Sequence, residues 1–482
     1  MSEYDVIVIG AGAVGENVAD RTAQGGLRTV IVEAELVGGT CSYWACMPSK
    51  ALLRSGIALR AAQNVRGARE AVTGALNVPA VLARRNSFTH HWNDSSQVEW
   101  LQGAGIELIR GHAQITGPKA VQVTAPDGSV TSLTARHAVV ISTGSAPLLP
   151  DIPGLKEARP WTSRDATSAQ EVPESLAIIG GGVVAVEMAT AYAGFGTHVT
   201  VLSRNGLLSH SEPFAGEAVT ASLQELGAEV RRDVSARAVH RDDRGVVLEL
   251  DDGSTLRAQE LLVATGRVPR TGDLGLGSLG LNGGDWLTVD DTLRVNGLDW
   301  LYATGDVNHR VLLTHQGKYQ ARAAGDRIAA VASGSVTQDA AWGAHVATAD
   351  HQAVPQVIFS DPEVASAGLT AQAAEDAGYD IRVVDYELGD VAGASLQADH
   401  YRGKARMVVD EARHVILGVT FVGQDVSELI HAATVAIVGE VPIDRLWHAV
   451  PAYPTMSEIW LRLLEQYGRP RVIETDQASR LE

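Results

Sequence analysis

Short apolar runs closed by glycine set the rhythm of the first two thirds of the chain. The run Tyr4–Ile9 leads straight into Gly10-Ala11-Gly12-Ala13-Val14-Gly15, an alanine-bearing segment follows, and a second run, Arg28–Val32, ends in Glu33. Runs of this length rich in Val and Ile predict strands, and the segment between them a helix. The pattern returns at Leu176–Ile179, which leads into Gly180-Gly181-Gly182-Val183-Val184-Ala185, a helix carrying Glu187, and a strand His198–Leu202 followed by Ser203-Arg204. Residues 50–112 between the two read as helix and loop. Strand-rich stretches are expected at Ala113–Ala125 and Val239–Leu250, with hairpin turns behind them at Asp127-Gly128 and Asp251-Asp252-Gly253. Two apolar runs, Val139–Gly144 and Leu261–Gly266, close on Thr-Gly, while Leu301–Asp306 is built alike but ends in an acid. Beyond residue 346 the pattern changes to strands at Gln356–Phe359, Ala405–Val409 and Ile416–Phe421 with a closing pair of helical stretches. The expected fold class is α/β, with two Rossmann-like dinucleotide-binding domains of three layers and a separate C-terminal α+β domain.

Glycines at Gly10, Gly12 and Gly15 permit a tight turn and let a pyrophosphate approach the helix N-terminus, and Glu33 stands where an acid accepts hydrogen bonds from an adenosine ribose. Strand, turn, helix, strand and acid coincide, which a chance glycine motif does not achieve. In the second unit Gly180 and Gly182 repeat the turn, and Ala185 is small enough for the third position. There the second strand ends in Ser203-Arg204 in place of an acid. No carboxylate repels a ribose 2′-phosphate and Arg204 can pair with it, so NADPH is expected ahead of NADH; the plainer reading is a surface arginine.

The 482 residues point to about three domains, and 45% hydrophobic against 20% charged residues argues for packed cores. With 39 Lys plus Arg against 57 Asp plus Glu the net charge is −18, and no basic patch offers a footing for nucleic acid. No apolar run approaches the roughly 18 residues that span a bilayer, and the N-terminus lacks a basic leader, so a cytoplasmic protein is expected. The aromatic and histidine stretch Phe88, His90, His91, Trp92, Trp100 has no cysteine at ligand spacing, and no metal is expected there.

Only two cysteines exist, Cys41 and Cys46, so any redox role for sulfur belongs to this pair. They lie in Gly38-Gly39-Thr40-Cys41-Ser42-Tyr43-Trp44-Ala45-Cys46-Met47-Pro48-Ser49-Lys50. Residues five apart in a regular helix point some 140° apart, so a bond between them requires a distorted turn; two buried thiols serving as small hydrophobes is the alternative. Together with both fingerprints, Ala264-Thr265-Gly266-Arg267-Val268-Pro269, Ala303-Thr304-Gly305-Asp306 and Asp361-Pro362-Glu363-Val364-Ala365-Ser366-Ala367-Gly368-Leu369, this segment resembles the pyridine nucleotide-disulfide oxidoreductases, the family of dihydrolipoyl dehydrogenase, glutathione reductase, mycothione reductase and mercuric reductase. The resemblance covers nearly the whole chain. It implies an FAD domain from residues 1–150 and 264–345, an NAD(P) domain from 151–263, and a dimerisation domain, 346–482, that completes the active site of a second subunit. It implies a redox-active Cys41–Cys46 disulfide, with Cys46 next to the flavin and Cys41 as the interchange thiol. Lys50 would lie by the flavin N5 in a salt bridge with Glu187, and Asp306 would bind the ribityl region. Gly39, Thr40, Thr143, Gly144, Gly266 and His315 fall in stretches that line the nucleotides of relatives.

One motif departs from the resemblance. Disulfide-reducing members carry a His-Pro-Thr segment with a glutamate five residues after the histidine; here Pro451-Ala452-Tyr453-Pro454-Thr455-Met456-Ser457-Glu458 keeps the glutamate and has Tyr453 at the histidine. A phenol of pKa near 10 is a poor base at neutral pH. His448 and His315 do not restore the pair. Mercuric reductases also have tyrosine there but add a C-terminal cysteine pair, absent from the ending Gln477-Ala478-Ser479-Arg480-Leu481-Glu482. The expectation is therefore an FAD-dependent NAD(P)H oxidoreductase that reduces a quinone or similar electrophile, with Tyr43, Trp44 and Tyr453 offering faces for a planar ring. The alternative is a dihydrolipoyl dehydrogenase-like or mycothione-like disulfide reductase with a non-standard base. A scaffold without enzymatic activity is disfavoured by the intact motifs.

Overall fold

The computed structural model describes residues 2–469, so the ending Gln477–Glu482 lies outside the described residues. The chain forms two compact units, one from Met1–Arg60 and Thr73–Val354, the other from Ala61–Val72 and Pro355–Glu482.

In the first unit, the strands Glu107–Arg110, Thr29–Glu33, Ser2–Ile9, Val130–Ile141 and Leu301–Ala303 pair in parallel. The 12-residue strand Val130–Ile141 serves two sheets' worth of pairing, because its first residues also pair antiparallel with Ala120–Thr124, which pairs in turn with His112–Gly117. Side chains of Ser2–Ile9 alternate between two cores as strand geometry requires. Ile7 and Ile9 join Val121, Val123 and Leu133 under the antiparallel strands, while Val6 and Val8 pack with Val18, Ala19, Ala321, Ala324 and Ile328 of the helices Ala13–Gln24 and Thr314–Ser333. Helix, sheet and sheet are the three layers expected.

A second parallel sheet, Glu229–Arg232, His198–Ser203, Ser175–Ile179 and Glu260–Val263, carries the helix Val183–Gly194. The stretch Val239–Leu250, expected to be rich in strand, holds parts of two strands. Asp242 accepts the Arg244 amide in a turn and Gly245 takes φ +120°, so Ala236–Asp242 folds back on Gly245–Leu250, and Asp251-Asp252-Gly253 then turns the chain into Thr255–Ala258.

The second unit holds a five-stranded antiparallel sheet ordered Pro355–Ile358, Glu363–Gly368, Val415–Gly423, Lys404–Asp410, Ile381–Glu387, with the helices Ile430–Val438 and Ile459–Tyr467. Val415–Gly423 is buried along its length and reads as one apolar run, whereas Ile381–Glu387 is a half-exposed edge and its weaker alternation hides it in the sequence. Among the described residues no helix is long and apolar enough to cross a membrane.

The first turn explains its own glycines. Gly10 has φ +100°, and a Cβ on Gly15 would fall 1.9 Å from the Gly10 carbonyl oxygen, so the helix can follow the strand this closely only without side chains. Gly15→Val is expected to cost at least the roughly 1–3 kcal/mol of an overpacked core, read as a lowered urea midpoint with an unchanged slope.

Candidate active site

The two cysteines flank a break between helices. Gly39–Tyr43 ends at Trp44, whose φ −138° and ψ 3° leave the helical region, and Cys46–Gln63 begins two residues on. The distortion demanded by the spacing is present, with both residues as free thiols in hydrogen-bond contact with each other. That contact splits them. The bond from Cys41, helped by Thr314, holds the Cys46 thiol below the ordinary range, and the same bond with burial holds Cys41 well above it.

One turn after Cys46 on the same helix face, the Lys50 Nζ donates to both carboxylate oxygens of Glu187, at 3.0 and 2.8 Å. Glu187 is 4% exposed on the helix Val183–Gly194, so the pair joins the cysteine helix to the second fingerprint helix. Thr314 was not foreseen at the sulfur. Its Oγ1 lies 3.3 Å from the Cys46 Sγ, at the start of the 20-residue helix Thr314–Ser333, whose N-terminus favours negative charge. A lone threonine before His315 gives no sequence signal of this contact, because the 268 residues separating it from Cys46 are closed only by the fold.

The fingerprints form two cradles. The turn Gly10–Gly12 lies against Gly38-Gly39: Gly12 and Gly38 are bridged, and a Cβ on Gly39 would stand 2.7 Å from the Gly12 Cα. Gly12 precedes the helix Ala13–Gln24 with no side-chain cap, which leaves its first N–H groups for an anion. Gly182 stands the same way before Val183–Gly194, with open space where a Cβ would be. Both cradles fit a pyrophosphate. Glu33 accepts the Ala11 and Glu35 amides, at 2.7 and 2.8 Å, and burial raises its pKa.

The other predicted positions are spread along these edges. Asp306 accepts from Ser145 at 2.5 Å and lies 3.6 Å from the Arg267 guanidinium; Thr143 donates to the Arg270 carbonyl at 2.8 Å. Gly144 and Gly266 turn with positive φ beside the antiparallel pair Ser145–Pro147 and Arg267–Pro269. Thr40 lies in the helix Gly39–Tyr43, and His315 is the second residue of its helix. Ser203 is turned inward, donating to the Gly206 carbonyl at 2.6 Å, while Arg204 is exposed. Tyr43 and Trp44 do not offer ring faces to a ligand, contrary to the sequence expectation. Tyr43 is fully buried, and Trp44 is covered by the Arg164 guanidinium 3.5 Å from its ring centroid.

In the second unit, Tyr453 is 76% exposed. Glu458 is buried, with Oε1 accepting from Arg462 at 2.5 Å and Oε2 sealed without a hydrogen-bond partner. Among the described residues no cluster of three His, Cys, Asp or Glu could hold a metal.

A family model described as pyridine nucleotide-disulphide oxidoreductase matches residues 4–324, and one for the dimerisation domain of the same family matches 354–463. The chain belongs to this family. Members that it resembles include a mercuric reductase of Acidithiobacillus ferrooxidans, 33% identical over 95% of this chain and 81% of the relative, and a dihydrolipoyl dehydrogenase of Chlorobaculum tepidum, 33% identical over 95% of each. The solved structure of the HOCl-induced flavoprotein disulfide reductase RclA from Escherichia coli, in its Cu(II) complex, shares the fold with a TM-score of 0.83 at 23% identity, over 96% of this chain and 99% of that one. LpdA from Mycobacterium tuberculosis does so at 0.81 and 23%, over 97% and 100%. As a pyridine nucleotide-disulphide oxidoreductase the protein is a flavin- and NAD(P)H-linked disulfide oxidoreductase, and the family implies binding of FAD and NAD(P).

Thr314→Val removes the hydroxyl from the Cys46 sulfur and is expected to raise that thiol's pKa by about one unit, measured as the pH midpoint of thiolate absorbance at 240 nm in the reduced protein.

Proposed function

We propose that this oxidoreductase oxidises NAD(P)H, with NADPH ahead of NADH, and reduces a quinone or similar electrophilic acceptor. The observation that carries the proposal is the second unit's Tyr453 motif: a phenol stands at the position of the expected base, and the Glu458 carboxylate is engaged by Arg462. FAD, when bound, supplies hydride acceptance from the nicotinamide and delivery of one or two electrons to an acceptor.

The chain's own residues then divide the work. Gly10, Gly12, Gly15 and Gly39, with Glu33 and Asp306, hold the flavin nucleotide across residues 1–150 and 264–345. Gly180 and Gly182 hold the nicotinamide nucleotide in 151–263, where exposed Arg204 is free to reach a 2′-phosphate. Lys50, fixed by Glu187, sets a cation one turn from Cys46, which favours its thiolate. Cys41 keeps its proton. Residues 346–482 form a homodimer contact and bring Tyr453 to the partner's site, where its exposed ring is the aromatic face left to a planar acceptor once Tyr43 and Trp44 are buried.

Interchange with an ordinary disulfide requires a group that takes and returns a proton near neutral pH, and Tyr453 is poorly suited to this. Mercuric reductases are among the relatives, yet this chain has no cysteine besides Cys41 and Cys46 with which to capture a soft metal. The division of the thiols into one depressed and one raised favours a second reading, a dihydrolipoyl dehydrogenase-like or mycothione-like reductase with another base.

Steady-state oxidation of NADPH and NADH by the FAD-loaded protein, against a naphthoquinone, lipoamide and glutathione disulfide, separates the two. Quinone turnover is expected to exceed disulfide turnover by about a hundredfold, the lower bound for loss of a general base, and to survive Cys46→Ser. Fast disulfide turnover abolished by Cys46→Ser overturns the quinone reading in favour of the second.

A further inference from the structure

A buried chain of hydrogen bonds ends on the loop 303–306, which carries Asp306. Gln320 is fully buried on the helix Thr314–Ser333, and its Oε1 accepts both the Gly305 amide and the Asn308 Nδ2, each at 2.8 Å. Its Nε2 donates to the Asp350 Oδ2, also at 2.8 Å. The other Asp350 oxygen accepts from Gln316, one turn earlier on the same helix, at 2.9 Å, and the Asp350 side chain is 1% exposed. Arg310 stands beside it, with Nε 3.2 Å from the Asp350 Oδ2 and its other nitrogens donating to Asp291 at 2.7 Å and to the Asp290 carbonyl at 3.1 Å.

The direction of this chain is fixed from its backbone end. Asn308 donates to the Ala303 carbonyl through Nδ2 and accepts the Arg310 amide through Oδ1, both at 3.0 Å, so its amide has one orientation. Gln320 must then present its oxygen to two donors, Asn308 and the Gly305 amide, and its nitrogen to the opposite side, where an acceptor is required. Asp350 is that acceptor. Gly305 takes φ +78° and ψ −156°, one of several conformations open to glycine, and the bond from its amide holds it there. The helix packs directly on this residue, since a Cβ on Gly317 would stand 3.1 Å from the Gly305 Cα.

We propose that Gln320, oriented by Asp350, is a positioning residue for the flavin: by holding the Gly305 peptide it sets where the next residue, Asp306, meets the ribityl chain. Gln320 is sealed from solvent and acts through the Gly305 amide. The inference rests on the reading of Asp306 as a flavin ligand, and the experiment keeps the two apart.

The test is the rate at which free-flavin fluorescence appears when the FAD-loaded full-length protein is diluted. Gln320→Leu leaves the buried Gly305 amide without an acceptor and is expected to release FAD at least about tenfold faster. Gln316→Leu takes one donor from the same Asp350 carboxylate but is not bonded to Gly305, and is expected to release FAD near the wild-type rate. Gln320→Glu alone sets two carboxyl groups face to face and is expected to speed release; adding Asp350→Asn exchanges donor and acceptor between the two positions, keeps an oxygen at Gly305 and is expected to bring the rate back near wild type. Gln320→Leu releasing FAD no faster than Gln316→Leu, or Asp350→Asn failing to slow release when added to Gln320→Glu, overturns the positioning role. Fast release from Asp306→Ala beside wild-type release from Gln320→Leu sinks the inference and keeps the flavin ligand, whereas wild-type release from Asp306→Ala sinks the reading of Asp306 and the inference with it.

Discussion

The Lys50–Glu187 ion pair is the contact on which the site depends. Glu187 is nearly sealed and Lys50 a third exposed, so forming the pair costs desolvation that the two-pronged hydrogen bonding offsets. In return it ties the helix bearing Cys46 to the helix that opens the second nucleotide cradle. One carboxylate thus sets where the sulfur, the lysine and the nicotinamide cradle stand. Removing it would leave a partly buried ammonium beside the cysteines, at or below the low end of the about 3–5 kcal/mol seen when buried pairs are broken.

Within that frame the cysteine pair is divided by its surroundings. The break at Trp44 lets the two thiols meet, and their hydrogen bond gives one the proton and the other the charge. Thr314 and the start of a long helix stand beside the sulfur that carries charge. Trp44 and Tyr43 pack the loop from behind: Thr167 donates to the Trp44 carbonyl at 2.8 Å, and Arg164 covers the indole while pairing with Glu35. The aromatic residues hold the turn's shape and are not open to ligand.

Both cradles, the helix break and the three-layer fold were legible because each is written in local pattern: apolar runs, glycine at fixed offsets, and two cysteines too far apart around a helix to meet without a kink. Lys50 with Glu187 followed from resemblance, and the fold brings them to 2.8 Å. Thr314 was not legible beside the sulfur, since 268 residues separate it from Cys46 and nothing local marks the contact. The inward turn of Ser203 and the burial of Tyr43 were hidden for the same reason: side-chain direction is decided by packing, not by the residue's type.

The proposed acceptor turns on one residue of the second unit, Tyr453, and on the chemistry of its side chain. The most direct test is Tyr453→His, assayed in parallel with lipoamide and with a naphthoquinone over pH 6–9. The account predicts that the histidine raises disulfide turnover by about tenfold or more, with a new pH midpoint near 6.5, and leaves quinone turnover nearly unchanged. Disulfide turnover already fast with Tyr453, and unchanged or lowered by histidine, would contradict it.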